Sequence, residues 1–510
     1  MSTVGQNEQQ HARRISKISV LVCVLAGIAL WGLAAWARIR WVDHANTGID
    51  GLGQFLAALG VTRGGVPRPP NPEGGHSLWL VAMPMVWTAN SLRGLFVIRF
   101  VVAALIAPLT ALATGLIATR LTRSKIAIAM AAGTSGVLVA LDPGLIHTVV
   151  EGFPGYGAPE WIGFASLFSV CLYLAPVRWR PLWAGLTALA LVIATGQHPM
   201  AFGVMGALAV LCFWCLRIRE WKSLAWFGLV LGLAMVPRVI ALLQLMQCGA
   251  PGGPWACLSN VALGSSHPEI AVPDRLWRAF HDRFAVDLGT IWLGFAATAL
   301  VGVVPWGNQT LNKRQAPSAP LWIALSVGCA LVGIVLLGTG VSSLRSYHLR
   351  ILAAPIAMMV GLGVVRFWPL GVGLMAWAWA AWQNPPIQGF HPNSVNKMDE
   401  IAAGMASWEG PLWVDGVWWK GGGRLEPAGV VLAAVLQGQS PERFGVGVDV
   451  GMVLLVGGDG ESTTMRFDGP VHARQWVDQN EWGSPVGWGG AFDWWAVLHP
   501  NQADIGASSW

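Results

Sequence analysis

The chain has 510 residues, 54% of them hydrophobic and only 11% charged. Soluble domains carry about 25% charged residues, so this composition, with its repeated apolar runs of about 20 residues, excludes an ordinary soluble protein and points to a polytopic membrane one. The formal net charge of +6 is unevenly spread: residues 1–382 hold 26 Lys+Arg against 12 Asp+Glu, and residues 383–510 hold 6 against 14. The basic excess therefore belongs to membrane flanks and is no footprint of nucleic-acid binding.

The first apolar run, Ile18 to Ala37, follows Arg13, Arg14 and Lys17. Ala35-Trp36-Ala37 loosely mimics a signal-peptide cleavage site, but the run exceeds a signal-peptide apolar region, which predicts an uncleaved anchor. Eleven spans are predicted in all, near 18–37, 94–118, 126–141, 161–176, 181–196, 200–216, 223–246, 289–306, 321–341, 351–365 and 368–382. Many of the 30 Trp, set against three Tyr, lie near the ends of these runs, as interfacial belts require. Residues 77–91 read as a short interfacial helix or a re-entrant piece.

With the N-terminus on the cytoplasmic side, the short basic connections all fall on that side: Arg120, Arg123 and Lys125; Arg178 and Arg180; Arg217, Arg219 and Lys222; Lys313 and Arg314; Arg366. This obeys the positive-inside rule. Ten of the twelve acids before residue 383 then lie on the outer side, with seven histidines. Cys248 and Cys257 share one outer loop, where a disulfide fits an oxidising compartment. An odd number of spans leaves the tail outside. In that tail, strand signals at 411–419, 451–457 and 492–500 surround a helical run at 426–438. This predicts a small α/β domain over 383–510, after a transmembrane domain over 1–382 whose first large outer loop covers about 38–93. The fold class is thus an α-helical polytopic membrane protein with a C-terminal outer α/β domain, in a bacterial inner membrane.

Four outer constellations could carry chemistry. The stretch Arg38 to Gly60 holds Arg38, Arg40, Asp43, His44 and Asp50. Charge at the mouth of a membrane helix is costly to desolvate and often functional; the plain alternative is that the arginines anchor the helix and the acids are solvated. If the stretch is helical, Asp43 and Asp50 share a face two turns apart, and Arg40 is the nearby opposing charge for Asp43. The second constellation runs through 141–161 with Asp142, His147, Glu151, Tyr156 and Glu160, where glycines and prolines argue against a long helix. The third is Gln197-His198-Pro199. The fourth is Leu344 to Arg350, in which Arg345 and Arg350 open a helix with Tyr347 and His348 between them. Two guanidiniums at a helix start can hold a phosphate, or simply anchor at headgroup depth. Arg99 and Arg238 lie inside predicted spans, where arginine rarely faces lipid. No tight ligand spacing marks a metal site, so no cofactor is predicted, although an outer His/Asp cluster leaves a divalent cation open.

This pattern resembles the GT-C-type membrane glycosyltransferases, the class of protein mannosyltransferases and lipid A aminoarabinose transferases. The similarity lies in a first span leading into a large outer loop with an acidic start, many further spans, an outer C-terminal domain, and a basic-aromatic segment opening a late helix, here RSYHLRILAAPIAMMVGLG (345–363). The family's acidic motif is often Asp-Glu; here it reads Asp43-His44, with Asp50 downstream. The resemblance implies a polyprenyl-phosphate-linked sugar donor lying among the spans, its phosphate near Arg345 and Arg350. It also implies an acceptor glycan, lipid or protein, with Asp43 as the base that takes the acceptor's proton. Two other classes stay open on the residues: a transporter or flippase for a lipid-linked or anionic solute, and a non-catalytic membrane scaffold.

Overall fold

The computed structural model describes residues 3–45, 55, 85, 87–88, 90–150, 157–197, 220–245, 350–365, 367–383 and 394–406. In the tail it describes 412–414, 417–419, 423–425, 427–440, 444–448, 452–456, 462–466, 485–488 and 494–498. The helices are α1 (Thr3–Ile39), α2 (Leu92–Ala103), α3 (Ile106–Leu121), α4 (Lys125–Ala140), α5 (Pro143–Val150), α6 (Ala158–Leu174) and α7 (Arg180–Gln197). They continue with α8 (Trp221–Leu245), α9 (Ala353–Val364), α10 (Trp368–Gln383), α11 (Ser394–Met405) and α12 (Pro427–Leu436). A 3-10 turn, Val42–His44, follows α1. Eight of the eleven expected spans coincide with described helices; those near 200–216, 289–306 and 321–341 lie outside the described residues. Three described stretches are long and apolar enough to cross a membrane: Leu21–His44, Leu92–Leu121 and Val177–Thr195, with mean hydropathies of 1.8, 2.4 and 1.2. The chain is a multi-pass membrane protein.

The expected single span at 94–118 is two helices with a break at Ala104–Leu105. Pro108 lacks an N–H, so the i→i−4 ladder cannot run through it. Leu105 donates to Val102 instead, at 3.0 Å, which frees the Val101 carbonyl. Trp31 of α1 donates its indole N–H to that carbonyl at 2.8 Å. In lipid each freed backbone group needs such a partner. Elsewhere, buried hydroxyls on Thr110, Thr114, Ser166 and Ser169 donate back to carbonyls four residues earlier, at 2.7–2.8 Å.

Close packing rests on small residues. A Cβ on Gly361 of α9 would lie 2.6 Å from the Ala131 carbonyl oxygen and 2.8 Å from Thr114. One on Gly136 of α4 would lie 2.3 Å from Leu30. Helices in lipid gain little from apolar burial against one another, so intimate contact of this kind carries association. α9 is apolar on every side and buried almost throughout, as a central helix should be.

The alternation of helix directions defines two ends. The end of α1, the start of α2, the end of α4, the starts of α6 and α9, and the end of α10 meet at one of them, the acidic end. There Arg38 contacts Ala140, Trp382 ties α10 to α1, and Arg350 meets Asp142. Arg120, Arg123, Lys125, Arg178 and Arg180 lie at the opposite, basic end, where Arg180 pairs with Glu220. An apolar cleft of about 460 Å³ also opens there, lined by Leu116, Cys171, Leu174, Trp179 and Trp183 among others.

In the tail, six short strands form a mixed sheet in the order β6-β5-β4-β1-β8-β7: β1 is Leu412–Val414, β4 Phe444–Val448, β5 Met452–Val456, β6 Ser462–Arg466, β7 Pro485–Trp488 and β8 Trp494–Leu498. β1 pairs parallel with β4 and antiparallel with β8. The strand expected at 411–419 is split. Its second half, β2 (Val417–Trp419), leaves the sheet and forms a separate antiparallel pair with β3 (Gly423–Leu425). The expected helix is α12, buried along its whole length. One hydrophobic cluster runs from Ala34 and Ala37 of α1 through α2, α4, α9 and α10 into α11, Val414, α12 and Phe444.

Candidate active site

The site begins with the carbonyls at the end of α4. The last turn of a helix leaves its C=O groups without intrahelical donors. Arg38, from the end of α1, fills this gap: it donates to Ala140 and Val139 at 3.0 and 3.3 Å, and to Ala34 of its own helix at 3.0 Å. A cation at a helix C-terminus also suits the dipole. Arg38 is only 1% exposed. It is a buried strut, which corrects its reading as an interfacial anchor.

Two residues beyond Ala140, Asp142 immediately precedes α5. Its Oδ1 accepts the Gly144 N–H at 2.9 Å, as a helix-capping carboxylate does. The same carboxylate takes two bonds from Nη1 of Arg350, at 2.9 and 3.2 Å. Asp142 is 4% exposed and Arg350 1%. The Arg350 guanidinium lies flat on Gly144, whose missing side chain makes the room: a Cβ there would sit 1.7 Å from Cζ. The sequence places Asp142 and Arg350 in two separate outer constellations, each a candidate for substrate contact. They are brought together, and each is the other's partner, so Arg350 offers its charge to Asp142. Glu160, in the first turn of α6, is buried beside them, within electrostatic reach of Arg38 and Arg99. Its Oε2 has no hydrogen-bond partner among the described residues. Arg99 stands over the ring of Phe55 at 5.2 Å.

Above this buried layer lies an exposed one. Asp43 occupies the 3-10 turn after α1, half-buried, and its Oδ1 pairs with Arg93 Nη1. Arg40 was the expected partner. It turns instead over the rings of Trp382 and Trp41, at 5.1 and 5.6 Å. There it joins a cluster of Trp36, Trp379 and Trp382 whose ring centres lie 4.8–6.2 Å apart, with Trp36 stacked on Trp379 and Trp382 tilted against both. His44 packs edge-on against Trp41 at 5.3 Å, and its Nδ1 is buried without a partner among the described residues. Asp43 Oδ2 accepts no hydrogen bond there either. The three-residue turn does not continue α1 as a helix. Asp50, Glu151, Tyr156, His198, Arg345, Tyr347, His348, Cys248 and Cys257 lie outside the described residues.

Three residues of this layer escaped sequence reading: Arg93, Asn396 and Asp399. Arg93 also donates to Asn396 Oδ1 at 3.0 Å. Asp399 of α11 accepts the backbone N–H groups of Leu92 and Arg93 at 2.9 and 3.3 Å. Burial pushes the Asp399 carboxyl above its usual range, and these two N–H bonds, Gln437 and the Arg93 charge pull against it. A signal for Arg93 was present in the sequence. Ser91 caps α2 through the Gly94 N–H at 2.9 Å, so Arg93 falls in a first turn, where a cation is unfavourable unless acids answer it. Among the described residues, no three His, Cys, Asp or Glu side chains gather as metal ligands.

No protein-family model matches the chain, and no curated protein matches it. Among solved structures, ArnT from Cupriavidus metallidurans in the apo state is similar over 78% of this chain and 66% of that one, with 12% identity and a TM-score of 0.45. ArnT from the same organism bound to undecaprenyl phosphate is similar over 76% of this chain and 66% of that one, with 15% identity and a TM-score of 0.37. The chain spans about two thirds of the length of these solved chains.

Proposed function

We propose that this chain is a membrane glycosyltransferase that moves a sugar from a polyprenyl-phosphate-linked donor to an acceptor at the acidic end of the bundle, taken as the periplasmic face. One observation carries the reading: Asp43, a carboxylate with Oδ1 held by Arg93 and Oδ2 without a hydrogen-bond partner among the described residues, stands at the mouth of the same helix ends that bury Asp142, Glu160 and Arg350. Asp43 Oδ2 takes the proton of an acceptor hydroxyl. The acceptor oxygen bonds to the anomeric carbon, and the bond from that carbon to the donor phosphate breaks, releasing polyprenyl phosphate. General bases of this kind contribute about 10²–10⁴-fold. A carboxylate nearby, with Asp50 the candidate, steadies the positive charge of the transition state. The donor phosphate carries the leaving group's charge already, so no nucleotide site is needed.

Donor phosphate binding falls to Arg345, with Tyr347 and His348 as walls. Arg350 acts on this segment through its bond to Asp142, which fixes where α9 begins. Glu151, Tyr156 and His198 are the further substrate-binding candidates from the outer loops. The test is mass spectrometry of glycolipids and glycoproteins from a deletion strain complemented by the wild-type gene or by Asp43→Asn. A glycan lost on deletion, restored by wild type and not by Asp43→Asn supports the reading. An unchanged glycan inventory on deletion overturns it.

A further inference from the structure

We propose that α11 is a positioning element for Asp43: Asn396 and Asp399 hold Arg93, and Arg93 turns the Asp43 carboxylate so that Oδ2 alone faces the acceptor. This deepens the glycosyltransferase reading and rests on it.

The argument starts at the first turn of α2. Its N–H groups lack intrahelical acceptors, and the helix dipole disfavours the Arg93 cation there. Asp399 answers both needs by accepting the Leu92 and Arg93 amides. The Arg93 Nη1 group has two hydrogens, and both are used, one by Asp43 Oδ1 and one by Asn396 Oδ1. Arg93 is thus fixed by α11 at its backbone and at its tip. The acid's own backbone is fixed as well. The Ser394 hydroxyl reaches the Asp43 and Ala45 carbonyls at 3.0 and 3.3 Å, pinning the short turn that would otherwise be free to twist.

α11 is itself held from the tail. Just past the end of α12 stands Gly438, whose φ of 90° is the left-handed conformation glycine adopts without strain. Gln439 N–H closes on Ala434 at 3.0 Å and Gly438 N–H on Val435 at 3.1 Å, the paired bonds of a Schellman ending. That reversal places Gln437 and Gln439 on α11, donating to the Asp399 and Ala402 carbonyls at 2.8 and 2.6 Å. A chain of contacts therefore runs from the tail through α11 and Arg93 to the carboxylate. Tail docking alone would need apolar contact only; it would not require three polar groups of one helix to converge on both members of an ion pair.

The full chain in lipid nanodiscs tests this with Asn396→Leu, a change at an exposed position that leaves the core intact. Amide hydrogen exchange is followed in peptides covering 38–45 and 90–96. Sugar transfer is followed with the polyprenyl-phosphate sugar pool extracted from the expressing cells. The expected result is about tenfold faster exchange in both peptides. Alongside it, kcat falls about tenfold or more while KM for the donor holds within about twofold, because misplacing a catalytic group costs turnover before binding. Asn396→Asp, which keeps an acceptor on Arg93, restores slow exchange and most of kcat. Unchanged exchange, or faster exchange with kcat intact, overturns the positioning role. A wild-type protein that transfers nothing removes the reaction and this proposal with it, and that failure is told apart because it precedes any change in α11.

Discussion

Arg350 donates from one nitrogen to both carboxylate oxygens of Asp142, at 2.9 and 3.2 Å, across 208 residues of sequence. The pair ties the start of α9 to the start of α5 in a setting that excludes water. Removing one member of a buried pair strands the other charge, at about 3–5 kcal/mol. Arg350→Ala and Asp142→Asn are each expected to lower the thermal unfolding midpoint in detergent sharply. The double variant should recover part of the loss, since neither charge is then stranded.

Gly144 makes that pair possible. Gly144→Ala is expected to destabilise by about 1–3 kcal/mol through overpacking, because the new methyl occupies the place of the Arg350 guanidinium. In an Arg350→Ala background the same change should be close to neutral. Equal costs in both backgrounds, read by thermal unfolding, would mean the glycine serves α5 alone.

Asp43→Asn keeps the shape of the side chain and removes its basicity. It is expected to cut transfer by about 10²–10⁴-fold while leaving the unfolding midpoint within a few degrees, since Asp43 is half-exposed. Asp50→Asn should cost less. Full activity in Asp43→Asn beside a dead variant at Glu151 would move the base into the second outer loop.

Asp399 gives a pH signature. Its folded carboxyl titrates above the unfolded value of about 3.9, chiefly through burial. The folded state therefore binds the proton more tightly, and stability falls as pH rises from about 4 through the raised folded value, then levels off. Asp399→Asn lacks that proton. The midpoint of Asp399→Asn relative to wild type should thus climb across this window and stay flat at higher pH. A constant difference from pH 4 to 8 would show that Asp399 is not the titrating group.

The tail is expected on the outer side. A reporter active only in the cytoplasm, joined after Trp510, should be silent, and one joined in the Thr122–Ser124 connection should be active. The reverse pattern would invert the whole topology.

Much of the helical architecture is written in apolar run length, because backbone in lipid has few alternatives to a continuous helix. Run length also locates α12, β5 and β8 in the tail. It misses the break at Ala104–Leu105, which turns on a proline and on a Trp31 indole brought in from another helix. It misses α11, whose sequence SVNKMDEIAAGM is too short and too interspersed with charge to read as an apolar run; its buried face of Val395, Met398, Ile401 and Met405 forms where the helix meets the bundle. The site follows the same division. The acids at the mouth stand out because charge is scarce there. Their partners do not: sequence proximity favours Arg40 for Asp43, whereas α1 ends in a turn that aims Asp43 at Arg93 and leaves Arg40 over tryptophan rings. Arg350 reads as a free cation until Asp142 arrives from a distant loop.

The bond between Arg93 and Asn396 spans 303 residues. A ribosome adding about 5–20 residues per second therefore makes Asn396 roughly 15–60 s after Arg93. Through that interval Asp43 and Arg93 sit at a membrane surface with no α11 above them. The carboxylate gains its final setting only after α9 and α10, which precede α11 in the chain, have been made. A chain cut before Ser394 would keep α1 to α10 and lack every contact by which α11 sets the mouth.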